Sequence, residues 1–366
     1  WLPTTLGFTF TDGPWATAYN YEDPALASSL QWYADLALEK GYSPAFEEVD
    51  SLGANTYFAS GKGAMTTQGS WMIGWFADNT EFDIGFGRLP AGEQGSKSMF
   101  NGLADSIWTG SENQAEAWEW VKYLASADCE NTVGDFGVVF PAIPSAVDKA
   151  DAAFSEKGLD ISAFTDQALD PNGTFLFPIT DNASEILAIM EPTIDSIMLG
   201  QAKAADVLPA ADDKVDEIFG TMGADKEAAA PEAEPEETAE ETTEEAAPVA
   251  TGDPVTLRYM LWDSNQLPAY EACAADFTAA NPNITINIEQ LGWDDYWSGI
   301  QTGFVSGEAP DVFTNHLAKY PEFATKGQLV DIQSLVERDG VDTGIYLEGL
   351  ADLWSRDGKP TNKQEA

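Results

Sequence analysis

The chain has 366 residues, 44% hydrophobic and 11% aromatic, which allows two or three domains with an ample core. Its formal net charge is −45, from 62 acidic and 17 basic residues, so its surface repels nucleic acid and anionic lipid. Such acidity is typical of proteins outside the cell or in high salt. No apolar run reaches the length of a membrane span, and the opening WLPTTLGFTF predicts no export signal in the chain as given.

Residues 1–222 predict an α/β piece with more helix than strand. Asp23 before Pro24 is typical of a helix start, and Ser111 with Gln114 predicts a capping box for a helix through Ser126. The apolar spacing predicts further helices over 183–199 and 204–219, and strands over 64–67, 82–86 and 106–108. GEQGSKS at 92–98 lacks the spacing of a phosphate loop and predicts a hairpin turn.

Residues 223–252 have a different composition, mostly Ala, Glu, Pro and Thr without an aromatic residue. Such a stretch buries too little apolar surface to offset the entropy of ordering it, and its prolines interrupt helix. The expected structure is a disordered, extended tether between two globular pieces. A single long charged helix is the alternative.

Residues 253–366 predict strand 255–262, helix 268–280, strand 284–291, helix 294–306 and strand 311–313. The order β-α-β-α-β with short connections indicates a parallel, doubly wound sheet. Ligands of such sheets bind beyond the carboxyl ends of the strands, which selects Trp262 to Gln266 and Thr314 to His316 as a candidate site.

Catalytic and metal-binding patterns do not stand out. His316 is the only histidine, and hydrolase motifs and calcium-loop spacing are missing, so no cofactor, metal or enzymatic activity is expected. Cys129 and Cys273 lie at neither metal nor redox spacing, and each is expected to be a small buried apolar side chain.

Aromatic residues beside small polar groups are the remaining signal, as at Trp71, at Trp262 with Asp263, and at Asn315 with His316. Proteins bind sugars by stacking a ring face on an aromatic plane while polar side chains hydrogen-bond the hydroxyls. For a single Trp, a core position remains the more common role. Trp32, Trp118 and Trp120 lie in predicted helices and are interpreted as packing.

Three segments of the first piece are GKGAMTTQGSW at 61–71, NGLA at 101–104 and GVVFPAIPS at 137–145. They resemble segments of the extracellular solute-binding proteins of ABC sugar importers, the maltose-binding-like family, in which the first has the pattern GKxAMxxxGxW. FTAANPNI at 277–284, APDVF at 309–313 and GQLVDI at 327–332 resemble segments near the family's N-terminus.

The resemblance implies an α/β, two-lobed periplasmic-binding-protein-like fold of type II, with doubly wound sheets in circularly permuted order. Residues 1–222 would be mainly the C-terminal lobe, and 253–366 an incomplete N-terminal lobe, with a middle stretch missing. The tether at 223–252 looks like the leader that follows the lipid-bearing cysteine of family lipoproteins. An extracellular or periplasmic protein, membrane-tethered in the parent form, is therefore expected.

The resemblance also implies a non-enzymatic binding protein that closes on a sugar or oligosaccharide and delivers it to the membrane permease of an ABC transporter. A monomer is expected. The implied ligand-binding residues are Trp71, Gly69, Asn101 and Gly102 from the first piece and Trp262, Asp263, Asn315 and His316 from the second. The alternatives are a glycosidase-like enzyme, a binder of a cationic or peptide ligand, and a scaffold for basic partners.

Overall fold

The computed structural model describes residues 1–13, 16, 18–228, 252–346 and 351–354. The helices are α1 Pro24–Leu38, α2 Phe46–Leu52, α3 Ala54–Ala59, α4 Ile73–Asn79, α5 Gln114–Leu124, α6 Ala127–Phe136, α7 Pro144–Glu156, α8 Ser162–Leu169, α9 Ala183–Met198, α10 Ala204–Ala228, α11 Leu267–Ala280, α12 Trp293–Ser306, α13 Tyr320–Thr325 and α14 Gln333–Asp339. The strands are β1 Ser98–Phe100, β2 Leu103–Ile107, β3 Thr174–Leu176, β4 Val255–Leu261, β5 Ile284–Gln290 and β6 Val312–His316.

The chain forms two compact units, and each unit draws on several separate segments. The first unit comprises Trp1–Tyr57, Leu89–Phe100 and Ala168–Ala246; the second comprises Phe58–Arg88, Asn101–Gln167 and Ala247–Ala366. The second unit takes segments from both sides of the predicted tether. The division of the chain into one globular piece on each side of the tether stays a prediction. The assignment of 1–222 and 253–366 to family lobes stays a prediction.

The second unit contains the predicted doubly wound sheet. Its strand order is β2-β6-β4-β5, with β4 parallel to both β5 and β6. The first strand of the β-α-β-α-β run thus lies in the middle, so the strand order reverses beside it, as the prediction requires. β2 adds an antiparallel edge strand from the earlier part of the chain, with Asp105 opposite Thr314.

Helices cover both faces of this sheet because successive side chains of β4 point to opposite sides. Leu257, Tyr259 and Leu261 belong to one buried cluster together with residues of α5, α6 and α11. Met260 belongs to another cluster, with Phe313 and residues of α12. The two clusters bury Leu257 and the residues from Tyr259 to Leu261, so the carboxyl half of this central strand is buried on both faces.

A disulfide between Cys129 and Cys273 joins α6 to α11 and spans 144 residues of sequence. Both residues are buried, as expected, but they are joined by a bond and are not two separate apolar side chains. Spacing along the chain carries no information about this pair, because the packing of α6 on α11 alone brings the two residues together. Disulfides of this kind persist in oxidising compartments, in agreement with an extracellular location.

The first unit is built around helices α1, α9 and α10, which pack on one another. Asp23 caps α1 as predicted, since its carboxylate accepts a hydrogen bond from the Ala25 N–H. Asp212 on α10 accepts the Tyr21 N–H at 2.8 Å and so holds the N-terminal segment against the helices. Strands β1 and β3 form a separate two-stranded parallel sheet.

Several local predictions differ from the structure. The predicted strands at 64–67 and 82–86 are not strands in the structure. Ser111 does not form the predicted capping box; its hydroxyl donates to Asp311 at 2.5 Å across the sheet edge. Helix α10 continues to Ala228, six residues into the predicted tether, and the tether residues 229–251 lie outside the described part of the chain.

Candidate functional site

The candidate site lies in the second unit, at the carboxyl ends of β4 and β6. Trp262 and Asp263 follow β4 directly, and His316 is the last residue of β6. The two strands are neighbours, and the strand order reverses between them. This is the position at which open α/β sheets bind their ligands, and the sequence correctly brought these three residues together.

Four aromatic residues form a continuous group here, which we call the tryptophan cluster: Trp262, Trp293, Tyr296 and Trp297. The Trp262 ring lies 5.1 Å from that of Trp293 and 5.4 Å from that of Trp297, measured between ring centroids. The edge-to-face arrangement of Trp262 and Trp293, at 89°, is a favourable geometry for aromatic pairs. The rings therefore support one another as a rigid unit.

The tryptophan cluster has a buried base and an exposed surface. Trp297 and Tyr296 are buried, whereas Trp293 is 44% exposed. Trp293 was not among the residues selected from the sequence, although it begins α12 soon after β5 ends. Its place after a parallel strand of the sheet was the signal that could have identified it.

Asp263 supplies a carboxylate directly after Trp262. One of its oxygens accepts the Asn265 N–H at 2.8 Å, and the other accepts from the side-chain amide of Gln266 at 2.8 Å. A pocket of about 10 Å³ lies among this carboxylate, Gln266, Tyr270 and Thr314, with room for about one water molecule. A larger ligand would therefore lie on the exposed surface of the cluster.

His316 lies beside the exposed tryptophan, with its ring edge-on to Trp293 at 5.4 Å and 83°. Its Nδ1 accepts the Ala318 N–H at 3.0 Å, and its Nε2 lies 2.7 Å from the side-chain amide of Asn101. Burial lowers the pKa of His316 to about 4, and the nearby charge of Lys319 adds to the effect. The imidazole is thus neutral at pH 7.

Asn101 and Gly102 from the first piece of the sequence do reach this site, through the contact of Asn101 with His316. Asn315 is fully buried. Its amide donates to the Ser106 hydroxyl at 3.1 Å and accepts the His316 N–H at 2.8 Å. Asn315 therefore supports the end of β6 and offers no surface to a ligand in this conformation.

Trp71 and Gly69 form a separate pair ahead of α4. The Trp71 side chain is 40% exposed, and its ring covers Gly69, where an added Cβ would come within 2.2 Å of ring carbons. A glycine is thus required for this ring position. Among the described residues, the ring contacts of the tryptophan cluster do not extend to Trp71.

A buried carboxyl group, Asp105, lies below the site on β2. The hydroxyl of Tyr259 donates to it at 2.9 Å, and that of Thr314 donates at 3.3 Å. Burial raises the pKa of Asp105 to about 6, although both hydroxyls act to lower it. Burial likewise raises the pKa of Glu130 on α6 to about 7, and the charge of Asp105 contributes to this shift.

We expect Asp105→Asn to change how stability depends on pH. Because the folded protein binds the Asp105 proton more tightly than the unfolded chain, the wild type loses stability as the pH rises from about 4 to about 6. The neutral amide of the variant removes this loss. Between pH 4 and pH 7 the free energy of unfolding of the variant should therefore rise by up to about 3 kcal/mol relative to that of the wild type. Urea unfolding at the two pH values measures the difference. Asp83→Asn, on an exposed carboxylate of the same unit, is the control, and equal changes in both variants would contradict the expectation.

The described residues contain no group of three or more His, Cys, Asp or Glu side chains placed to hold a metal ion. They also contain no helix long and apolar enough to cross a membrane.

The chain is similar over part of its length to known proteins. An uncharacterized lipoprotein encoded in the oleD 5′ region of Streptomyces antibioticus is 31% identical over 93 residues, which are 25% of this chain and 21% of that protein. The crystal structure of M. tuberculosis UspC aligns with a TM-score of 0.46 and 19% identity, over 58% of this chain and 52% of that one. The chain thus spans about a fifth of the length of the curated relative it matches.

The family comparison covers more of the chain. The sequence profile described as bacterial extracellular solute-binding protein matches residues 3–128 and 263–358, together more than half of the 366 residues. Both matched regions contribute to the second unit and its sheet. The match agrees with the predicted periplasmic-binding-protein-like α/β fold, while the permuted order of segments stays a prediction. The chain belongs to the bacterial extracellular solute-binding protein family.

Proposed function

We propose that this protein is the non-enzymatic binding component of an ABC importer, and that its ligand is a sugar or oligosaccharide. Family membership supports the general role of solute binding outside the cell. The choice of a sugar depends on the tryptophan cluster, which combines an exposed indole face with a carboxylate close by. Indole faces stack on the C–H faces of sugar rings, and carboxylates accept hydrogen bonds from hydroxyl groups.

The single observation that carries this proposal is Trp293, a large aromatic side chain that is 44% exposed at the ligand-binding edge of the sheet. Its ring contacts Trp262, Trp297 and His316, so the surface is held in place before a ligand arrives. A rigid aromatic surface costs little conformational entropy on binding. Trp293 therefore replaces Trp71 as our first choice of stacking residue.

The ionisable groups near the site favour an uncharged ligand over an anionic one. Asp263 lies at its surface, and the charges of Asp105, Glu130 and Asp263 all act on the buried hydroxyl of Tyr270. Such a field repels phosphorylated or carboxylated ligands. It leaves a cationic ligand as the second candidate.

The remaining parts of the proposal concern the whole protein. We infer a monomer that passes its ligand to a membrane permease and that is tethered to the membrane as a lipoprotein in its parent form. The lipoprotein match in Streptomyces antibioticus supports the tether over a short region only. The predicted roles of Gly69, Trp71, Asn101 and Gly102 as ligand contacts belong to the same proposal.

A thermal-shift screen followed by calorimetry tests the ligand class. The panel contains maltotriose, cellobiose, xylobiose, spermidine and glucose 6-phosphate. A ligand at one hundred times its Kd stabilises the fold by about 2.7 kcal/mol, so one neutral sugar family should raise the melting temperature. A shift with spermidine alone would replace the sugar by a cationic ligand. Release of reducing ends from the bound sugar would identify an enzyme instead.

A further inference from the structure

The chain passes from the first unit to the second between Phe100 and Asn101. Phe100 is anchored in the first unit, where its carbonyl oxygen accepts the Phe177 N–H at 2.9 Å. Asn101 is anchored in the second unit, where its side-chain amide lies 2.7 Å from Nε2 of His316. Two consecutive residues are thus fixed to different units, and we call this step the crossover.

The histidine at the crossover is constrained at both ring nitrogens. The backbone N–H of Ala318 can only donate, so Nδ1 of His316 is the acceptor in that contact. A neutral imidazole then carries its proton on Nε2, the nitrogen that faces Asn101. In the Asn101 side chain, the amide oxygen is the atom that can accept a hydrogen bond from this proton.

A second donor competes for the same oxygen, because the Gly102 N–H lies 2.9 Å from the Asn101 side chain. When the oxygen faces Gly102, the amide NH₂ and the Nε2–H of the ring are two donors that face each other. When the oxygen faces the ring, the Gly102 N–H faces the NH₂. The amide oxygen can face only one of these two donors at a time, so the amide has two competing orientations.

We propose that His316 is a positioning residue that links the tryptophan cluster to the crossover through the two orientations of the Asn101 amide. The link begins at Trp293, whose ring meets His316 edge-on at 5.4 Å. It ends at Gly102, whose N–H is bonded in only one of the two states. A ligand bound at Trp293 would act on this link, and that part of the proposal rests on the proposed function. The contact between Asn101 and His316 itself is present without a ligand.

The chain offers a direct test, since His316 is its only histidine. Protein labelled with ¹⁵N-histidine gives a single imidazole, whose nitrogen signals report the tautomer and the pKa. We expect the proton on Nε2 in wild type. Asn101→Asp provides two oxygens that accept from both donors at once. It should raise the pKa of His316 by one pH unit or more and slow amide exchange at Gly102.

Two further variants complete the experiment. Asn287→Asp, the same change on the exposed side of β5, should leave the imidazole signals as in wild type. Trp293→Phe perturbs the ring contact without any ligand, and it should shift the imidazole signals and change exchange at Gly102.

Three results would overturn the proposal. The first is a wild-type proton on Nδ1, and the second is an Asn101→Asp variant with unchanged pKa and unchanged exchange at Gly102. The third is a Trp293→Phe variant without any effect on the imidazole. None of these measurements needs a sugar, so they can be interpreted even if the ligand screen fails.

Discussion

Trp293→Ala is expected to lower the affinity for the sugar found in the screen at least tenfold, with the fold retained. A sugar ring that covers on the order of 100 Å² of indole gains about 2.5 kcal/mol from apolar burial, and tenfold in Kd corresponds to about 1.4 kcal/mol. The side chain is 44% exposed, so its removal opens no cavity in the core. Isothermal titration calorimetry measures the change in Kd.

The control for this variant is Trp32→Ala in the first unit, where the indole is 51% exposed. This variant removes a similarly exposed ring that is distant in sequence from Trp293, and it should leave the affinity for the sugar unchanged. Trp71→Ala, made in parallel, should also lower the affinity at least tenfold if Trp71 contacts the ligand as the family resemblance implies. Wild-type affinity in Trp293→Ala would remove this ring from the site, and wild-type affinity in Trp71→Ala would remove the other.

Reduction of the disulfide is expected to destabilise the protein by about 2–5 kcal/mol. The bond between Cys129 and Cys273 closes a loop of 144 residues, and a long loop restricts the unfolded chain strongly. It also joins α6 to α11, which come from opposite sides of the acidic stretch. Urea unfolding with and without a reductant, with thiol titration to show that reduction is complete, measures the loss.

The double variant Cys129→Ala/Cys273→Ala separates the loss of the bond from any other effect of the reductant. It should be less stable than the oxidised wild type and should not respond to reductant at all. Equal stability of the oxidised and the fully reduced wild type would show that the helices hold the second unit together without the bond.

The second part of the chain shows how far local patterns lead. Predicted strands and helices between 255 and 316 match β4, α11, β5, α12 and the start of β6 within a few residues. Alternating or continuous apolar runs bounded by turn residues specify such elements locally, and the β-α-β connection constrains how the strands pair. The doubly wound sheet and the position of Trp262, Asp263 and His316 at its edge follow from these patterns.

Part of the predicted set of binding residues lies together in the structure, and their roles in binding stay predictions. The structure brings together Trp262, Asp263, His316 and Asn101, and Asn315 supports the end of β6. The sequence pointed to Trp71 as the stacking residue because of a family motif, whereas the ring contacts involve Trp293. A motif indicates which residues occur together, but the contacts of Trp293 with Trp262 and His316 depend on how α12 packs on the sheet.

The sequence by itself determined the α/β class, the helices and strands around the site, the acidic surface and the resemblance that the family match confirms. These features depend on the composition of the chain or on patterns among residues that are close together in the sequence. Only the tertiary structure decided that β2 joins β6, that Cys129 pairs with Cys273, and that Trp293 faces outward. These are contacts between distant segments or consequences of burial, and they depend on how all the elements pack together rather than on any local pattern.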